Sequence, residues 1–189
     1  IKINVTVKTP SVKLTATKAP LQVKKSTTAI KVSSKISTDA ISSVSSSSTS
    51  RVKAYRVKTS SGNYSTTGIK LVAQSKTGTA TITVKMKSGA KATCKVTVQK
   101  SAVKVTSVSV PSTSVTLRLA GANKKTTYKI AAKRYPVTAT SKIYYSTSNK
   151  KVATVSSSGT ITAKKAGKAT ITVKSGTKTK KITVTVKSK

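Results

Sequence analysis

Apolar and polar residues alternate with a period of two along much of this chain, most plainly near its end. Ile182, Val184 and Val186 fall on one face, while Lys181, Thr183, Thr185 and Lys187 fall on the other. That is the side-chain spacing of a strand with one face on a core. Just upstream, Ala169, Ile171 and Val173 alternate with Thr170, Thr172 and Lys174, and Ser175-Gly176-Thr177 between the two runs predicts a hairpin.

The same unit occurs earlier. Thr77-Gly78-Thr79-Ala80-Thr81-Ile82-Thr83-Val84-Lys85 returns as Ala166-Gly167-Lys168-Ala169-Thr170-Ile171-Thr172-Val173-Lys174, a shift from residue 77 to residue 166. Internal duplication of this kind predicts repeated structural units. Ser88-Gly89 matches the turn Ser175-Gly176, and Cys94, Val96 and Val98 match Ile182, Val184 and Val186, which gives Cys94 an inward position. Further back, Ser48 to Val52 aligns with Ser148 to Val152, setting Ser45 against Tyr145 and Tyr55 against Val155. Early apolar strands are expected around Val12 and Leu14 and around Val115 and Leu117.

Two domains are therefore expected, 9–100 and 101–189, with a linker at Gln99-Lys100-Ser101-Ala102 and a surface insertion near 57–67 in the first. Asn4-Val5-Thr6-Val7-Lys8 resembles the closing strand of either repeat, so residues 1–8 are read as the end of a preceding copy. In the second domain the alternating positions Tyr145, Val152, Ile161, Ile171, Val173, Val184 and Val186 are the expected core.

Composition supports an all-β chain. Of its 189 residues 23 are Val and 12 Ile but only 5 Leu, and β-branched residues favour pleated surfaces over helices. No run approaches the ~18–20 apolar residues that a membrane helix needs.

Charge narrows the chemistry further. There are 38 Lys and Arg residues against a single acidic one, Asp39, and no His, for a formal net charge of +37. General acid–base pairs, carboxylate dyads, metal-assisted hydrolysis and Ser-His-Asp triads all need His or paired carboxylates. No catalytic residue is expected, and no metal or other cofactor, since calcium needs clustered oxygen ligands and Asp39 stands alone. Asp39, in Ser37-Thr38-Asp39-Ala40, reads as a turn residue, and Cys94 as a small buried hydrophobe.

The second repeat resembles the group 2 bacterial immunoglobulin-like family, whose members occur as tandem modules on bacterial surface proteins, intimin-like adhesins and phage structural proteins. The residues that carry the likeness are Val108-Ser109-Val110-Pro111 with Val115 and Leu117; Tyr144-Tyr145-Ser146-Thr147-Ser148-Asn149 with Val152-Ala153-Thr154-Val155; Ser158-Gly159-Thr160-Ile161-Thr162-Ala163; and Ala166 to Val173. Trp, which the family often places at the central aromatic position, is absent, and Tyr145 stands in for it. The resemblance implies two tandem immunoglobulin-like β-sandwiches of about seven strands each. It also implies a non-enzymatic structural or adhesion module, located at the cell surface or extracellularly. A virion decoration or tail subunit bound to an acidic protein surface is the alternative.

Function must then come from the surface. A charge of this size creates a field that recruits polyanions by counterion release. The expected contacts are Lys150, Lys151, Lys164, Lys165, Lys168, Lys178, Lys180 and Lys181, and the expected partner is an anionic cell-wall polymer or an acidic protein surface. Sequence-specific nucleic-acid recognition is not expected, because Phe and Trp are absent and base stacking needs exposed aromatics. Assembly with further repeats or subunits is compatible with this reading.

Overall fold

The computed structural model describes residues 9–189, so the strand expected within residues 1–8 lies outside the described residues. The chain divides at Val103 and Lys104 into two compact units, each a β-sandwich built from nine strands in the same order.

In the first unit these are β1 (Val12–Leu14), β2 (Lys18–Gln22), β3 (Ser26–Thr27), β4 (Val32–Ser34), β5 (Ile41–Ser46), β6 (Val52–Lys58), β7 (Tyr64–Ala73), β8 (Gly78–Met86) and β9 (Lys91–Gln99). Hydrogen bonding joins β2-β9-β8-β5 into one sheet and β3-β7-β6 into the other, with β1 pairing β4. In the second unit they are β10 (Ser107–Ser109), β11 (Ser114–Arg118), β12 (Thr127–Lys129), β13 (Lys133–Tyr135), β14 (Ile143–Thr147), β15 (Ala153–Val155), β16 (Thr160–Ala163), β17 (Gly167–Ser175) and β18 (Lys178–Lys187). They form the corresponding sheets β11-β18-β17-β14 and β12-β16-β15, with β10 pairing β13.

The hairpin that alternation predicted is the spine of each unit. Register sets Ile171 opposite Ile182 and Ala169 opposite Val184, and all four side chains are buried. In the first unit Ile82 faces Cys94 and Ala80 faces Val96, again all buried, so Cys94 takes the inward place of Ile182. Burial pushes the Cys94 thiol up to about 11, which holds it as a neutral apolar filler. Between β17 and β18 only Gly176 and Thr177 intervene, and Gly176 carries the positive φ of 57° that the first position of a tight hairpin turn demands.

Register corrects three sequence equivalences. Val12 and Leu14 do not correspond to Val115 and Leu117. The strands that run parallel to the closing strands are β2 and β11, in which Ala19 and Leu21 pair with Val96 and Val98 as Val115 and Leu117 pair with Val184 and Val186. Alternation alone says that a strand is half-buried, not which sheet it joins. The second correction is a shift of one residue: Val44 pairs with Val84 as Tyr145 pairs with Val173, so Val44 and not Ser45 holds the Tyr145 place. A one-residue slip exchanges the two faces of a strand, and the register irregularity between Ile41 and Ser43 absorbs it. Likewise Val52 and Ala54 pair with Ala73 and Leu71 as Ala153 and Val155 pair with Ala163 and Ile161, so Ala54 and not Tyr55 matches Val155, and Val52 matches Ala153 and not Val152. The extra residues of the first unit lengthen the β6–β7 hairpin, whose tip is residues 59–63.

Of the expected second-unit core, Val152, Ile161, Ile171, Val173, Val184 and Val186 are buried. Tyr145 is only half-buried. Its ring lies over Gly159, where an added Cβ would come within 2.7 Å of Tyr145 Cζ, and Gly159 has a φ of 82°. The first unit places Val44 at the register position of Tyr145, so the ring has no counterpart there.

Asp39 is 8 % exposed and serves as a structural hub. Its carboxylate accepts hydrogen bonds from the Ser88 hydroxyl at 2.7 Å, the Ser88 amide at 3.1 Å and the Ser34 hydroxyl at 3.2 Å, tying the β4–β5 connection to the β8–β9 turn. The Ser88 hydroxyl bond leads in holding the carboxyl below its ordinary value, against the opposing pull of burial.

Ile171→Ala should lower unfolding free energy in urea by about 2–5 kcal/mol, the range for a buried large-to-small change. Gly159→Ala meets both a left-handed backbone and the Tyr145 ring; a loss of about 2–4 kcal/mol is expected from strain and overpacking, partly restored by adding Tyr145→Val. Because the folded carboxyl of Asp39 titrates below its unfolded value, its contribution is complete above about pH 5 and lost as pH falls through the lowered value. Stability measured from pH 6 to pH 2 should fall only at the acid end, and Asp39→Asn should remove most of that fall.

Candidate polyanion-binding surface

The outward face of the sheet β11-β18-β17-β14 follows from the pleat: residues alternating with Ile171, Ile182 and their neighbours must point away from the core. On β17 these are Lys168, Thr170, Thr172 and Lys174; on β18 they are Thr179, Lys181, Thr183, Thr185 and Lys187. The register spaces the charges, with Lys168 opposite Thr185, Lys181 opposite Thr172 and Lys174 opposite Thr179. Like charges directly opposite would be destabilising, and only at the rim does Arg118 face Lys187.

The eight expected lysines separate into three groups. Lys150, Lys151, Lys164 and Lys165 sit together at one end. The Asn149 side-chain oxygen accepts from the Lys151 and Val152 amides, shaping the turn after β14, and the Lys164 and Lys165 amides donate to the Val152 carbonyl at 2.9 and 3.3 Å. Two turns are thereby stitched together with four exposed lysines on them. Lys168 and Lys181 belong to the outward sheet face. Lys178 and Lys180 lie at the other end: they share strand parity with Ile182 and yet are exposed, on a stretch of β18 where β11, which pairs only from Thr183 onwards, no longer flanks it. From Gly167 to Ser175 the sheet runs for about 27 Å at the usual rise per residue, so the three groups form a track and not a single pocket.

Sequence reasoning passed over Lys142 and Tyr144 as site residues. Tyr144 is 63 % exposed and pairs with Lys174 across the β14–β17 ladder. The available signal was the adjacent pair Tyr144-Tyr145: in a strand one of the two must face outward. Tyr145, facing the core, has its phenol pushed upward by burial.

Residues 104–186 match the family model for the bacterial Ig-like domain (group 2). No curated protein matches the chain. Among solved structures, it is 30% identical to domains 4 and 5 of the S-layer protein SbsC, over 61% of this chain and 68% of that one, with a TM-score of 0.37. SbsC domains 5–6 are 18% identical over 95% of this chain and 99% of theirs, with a TM-score of 0.43. Extracellular cadherin domains 1–4 of protocadherin gamma B7 are 13% identical over 95% of this chain and 51% of that one, with a TM-score of 0.37. The family match runs from ahead of β10 into β18, so it identifies the second unit as a bacterial Ig-like domain (group 2).

Proposed function

We propose that this chain is a non-enzymatic structural or adhesive segment of a bacterial surface protein, held to an anionic wall polymer by lysines distributed along its second unit. What supports this reading is the track just described: exposed lysines at both ends and on the outward face of one sheet, with the chain's single carboxylate taken up by serine donors. A polyanion laid along such a track releases counterions at each lysine it meets and needs no cavity. The family resemblance to surface modules agrees with this placement outside the cell.

Titration of wall teichoic acid, heparin and duplex DNA at several salt concentrations tests it. A track neutralising four or more phosphates should give a slope of log affinity against log salt of about −3.6 or steeper on duplex DNA. Replacing Lys150, Lys151, Lys164 and Lys165 together by Gln should flatten that slope by several units, while any one of these changes alone weakens binding only slightly. A salt-insensitive affinity, or its loss through one lysine, would overturn the distributed mode. Selective binding to an acidic protein surface, with none to wall polymer, would move the reading to the virion alternative.

A further inference from the structure

We infer that the second unit carries a discrete subsite for an anionic sugar residue, centred on Tyr144; this rests on the wall-polymer reading and names the part of the polymer that is recognised. A groove of about 450 Å³ is lined by Ser141, Lys142, Tyr144, Lys174 and Gly176, within the size range of small-molecule sites.

Its walls are held in place. Ser175 is fully buried and donates its hydroxyl to the Ser141 carbonyl at 3.1 Å, fastening the segment before β14 to the β17–β18 turn. Lys142 lies two residues before Tyr144 and shares its strand parity, while Lys174 is its cross-strand partner, so one exposed ring is bracketed by two exposed ammonium groups.

Tyr144 is the most exposed of the tyrosines, at 63 %, and like Tyr55 and Tyr135 it differs from Tyr64 and Tyr128 in having an uncovered ring; of these three it is the one that lines this groove. Arg56 stacks over Tyr64 with its guanidinium carbon 3.8 Å from the ring centroid, and the Lys125 ammonium lies 5.6 Å from that of Tyr128. Among the described residues no cation lies over the ring of Tyr144, which leaves an apolar face open. An open aromatic face between two cations fits a ligand with an apolar patch of C–H bonds and an anionic substituent beside it, which is the chemistry of a pyranose bearing phosphate, sulfate or carboxylate. Single-stranded nucleic acid fits less well, since its binding tracks offer successive aromatic platforms and the neighbouring Tyr145 faces inward. The first unit lacks the feature at the equivalent position, where Ser43 faces Lys85 as Tyr144 faces Lys174.

The test compares a heparin hexasaccharide, which has sugar rings, with inorganic polyphosphate of equal charge, which has none, and with a single-stranded DNA oligomer. Affinities are measured by calorimetry at 0.15 M salt on the whole chain. Tyr144→Ala should weaken the hexasaccharide about fivefold to tenfold and leave polyphosphate unchanged, while Tyr144→Phe should stay near wild type. Lys174→Gln and Lys142→Gln should weaken both. Unchanged thermal melting of each variant would establish that folding is intact. If Tyr144→Ala affects neither probe, or both equally, the subsite is overturned while the distributed track stands. Should DNA prove more sensitive to Tyr144→Ala than the hexasaccharide, the sugar assignment is overturned. If the hexasaccharide binds in a Tyr144-dependent way and polyphosphate fails to bind, the track fails and the subsite stands. Binding of no probe at all overturns both.

Discussion

Each unit depends on the packing of one long hairpin, β8–β9 or β17–β18, whose buried inward residues are mostly small or β-branched, with Met86 the exception, and whose outward residues are mostly Thr and Lys. The inward rows supply the apolar area that drives the sandwich together, and the hairpin supplies both faces on which further strands align. A parallel strand joins one side, β2 or β11, and an antiparallel strand joins the other, β5 or β14. Every later feature inherits this register: the Gly159 contact with Tyr145, the spacing of lysines by threonines, and the outward direction of Tyr144.

The hairpins were legible in the sequence because period-two alternation and a glycine turn are local signals, and the duplicated Gly-x-Ala-Thr-Ile-Thr-Val segment marked both copies at once. What was not legible depended on distant partners. Nothing near Val12 and Leu14 says that they pair with β4, and only hydrogen bonding between β5 and β8 shows that Val44 takes the Tyr145 place. The lysines of the candidate surface could be found by composition, but their division into two end groups and a face could not, because Lys178 and Lys180 fall in the inward phase of β18 and are exposed only where β11 no longer flanks that strand. Tyr144 was hidden for a related reason. Its neighbour satisfies the core pattern, and the pattern explains the pair without asking what the outer ring does.

The use made of the chain's one carboxylate clarifies its electrostatics. Asp39 meets hydroxyl and amide donors of Ser34 and Ser88, so it contributes order to a turn instead of cancelling a lysine across the surface. Exposed ion pairs contribute little in any case. The positive field is thus left uncompensated, and on the outward sheet of the second unit it is spread by separation, with hydroxyl-bearing residues between the lysines, whereas in the first unit Lys18 faces Lys95 and Lys85 faces Lys91.

The parallel pairing of β11 with β18 has a mechanical side. Five residue pairs, from Ser114 with Thr183 to Arg118 with Lys187, run in the same direction, so the chain enters at one end of this ladder and leaves at the other. Tension applied through the two ends would load these backbone hydrogen bonds together, in shear, instead of opening them one at a time as in a peeled hairpin. Resistance to pulling is then set by a short patch of sheet, and the strength of the unit under load differs from its strength in urea, where no such direction is imposed.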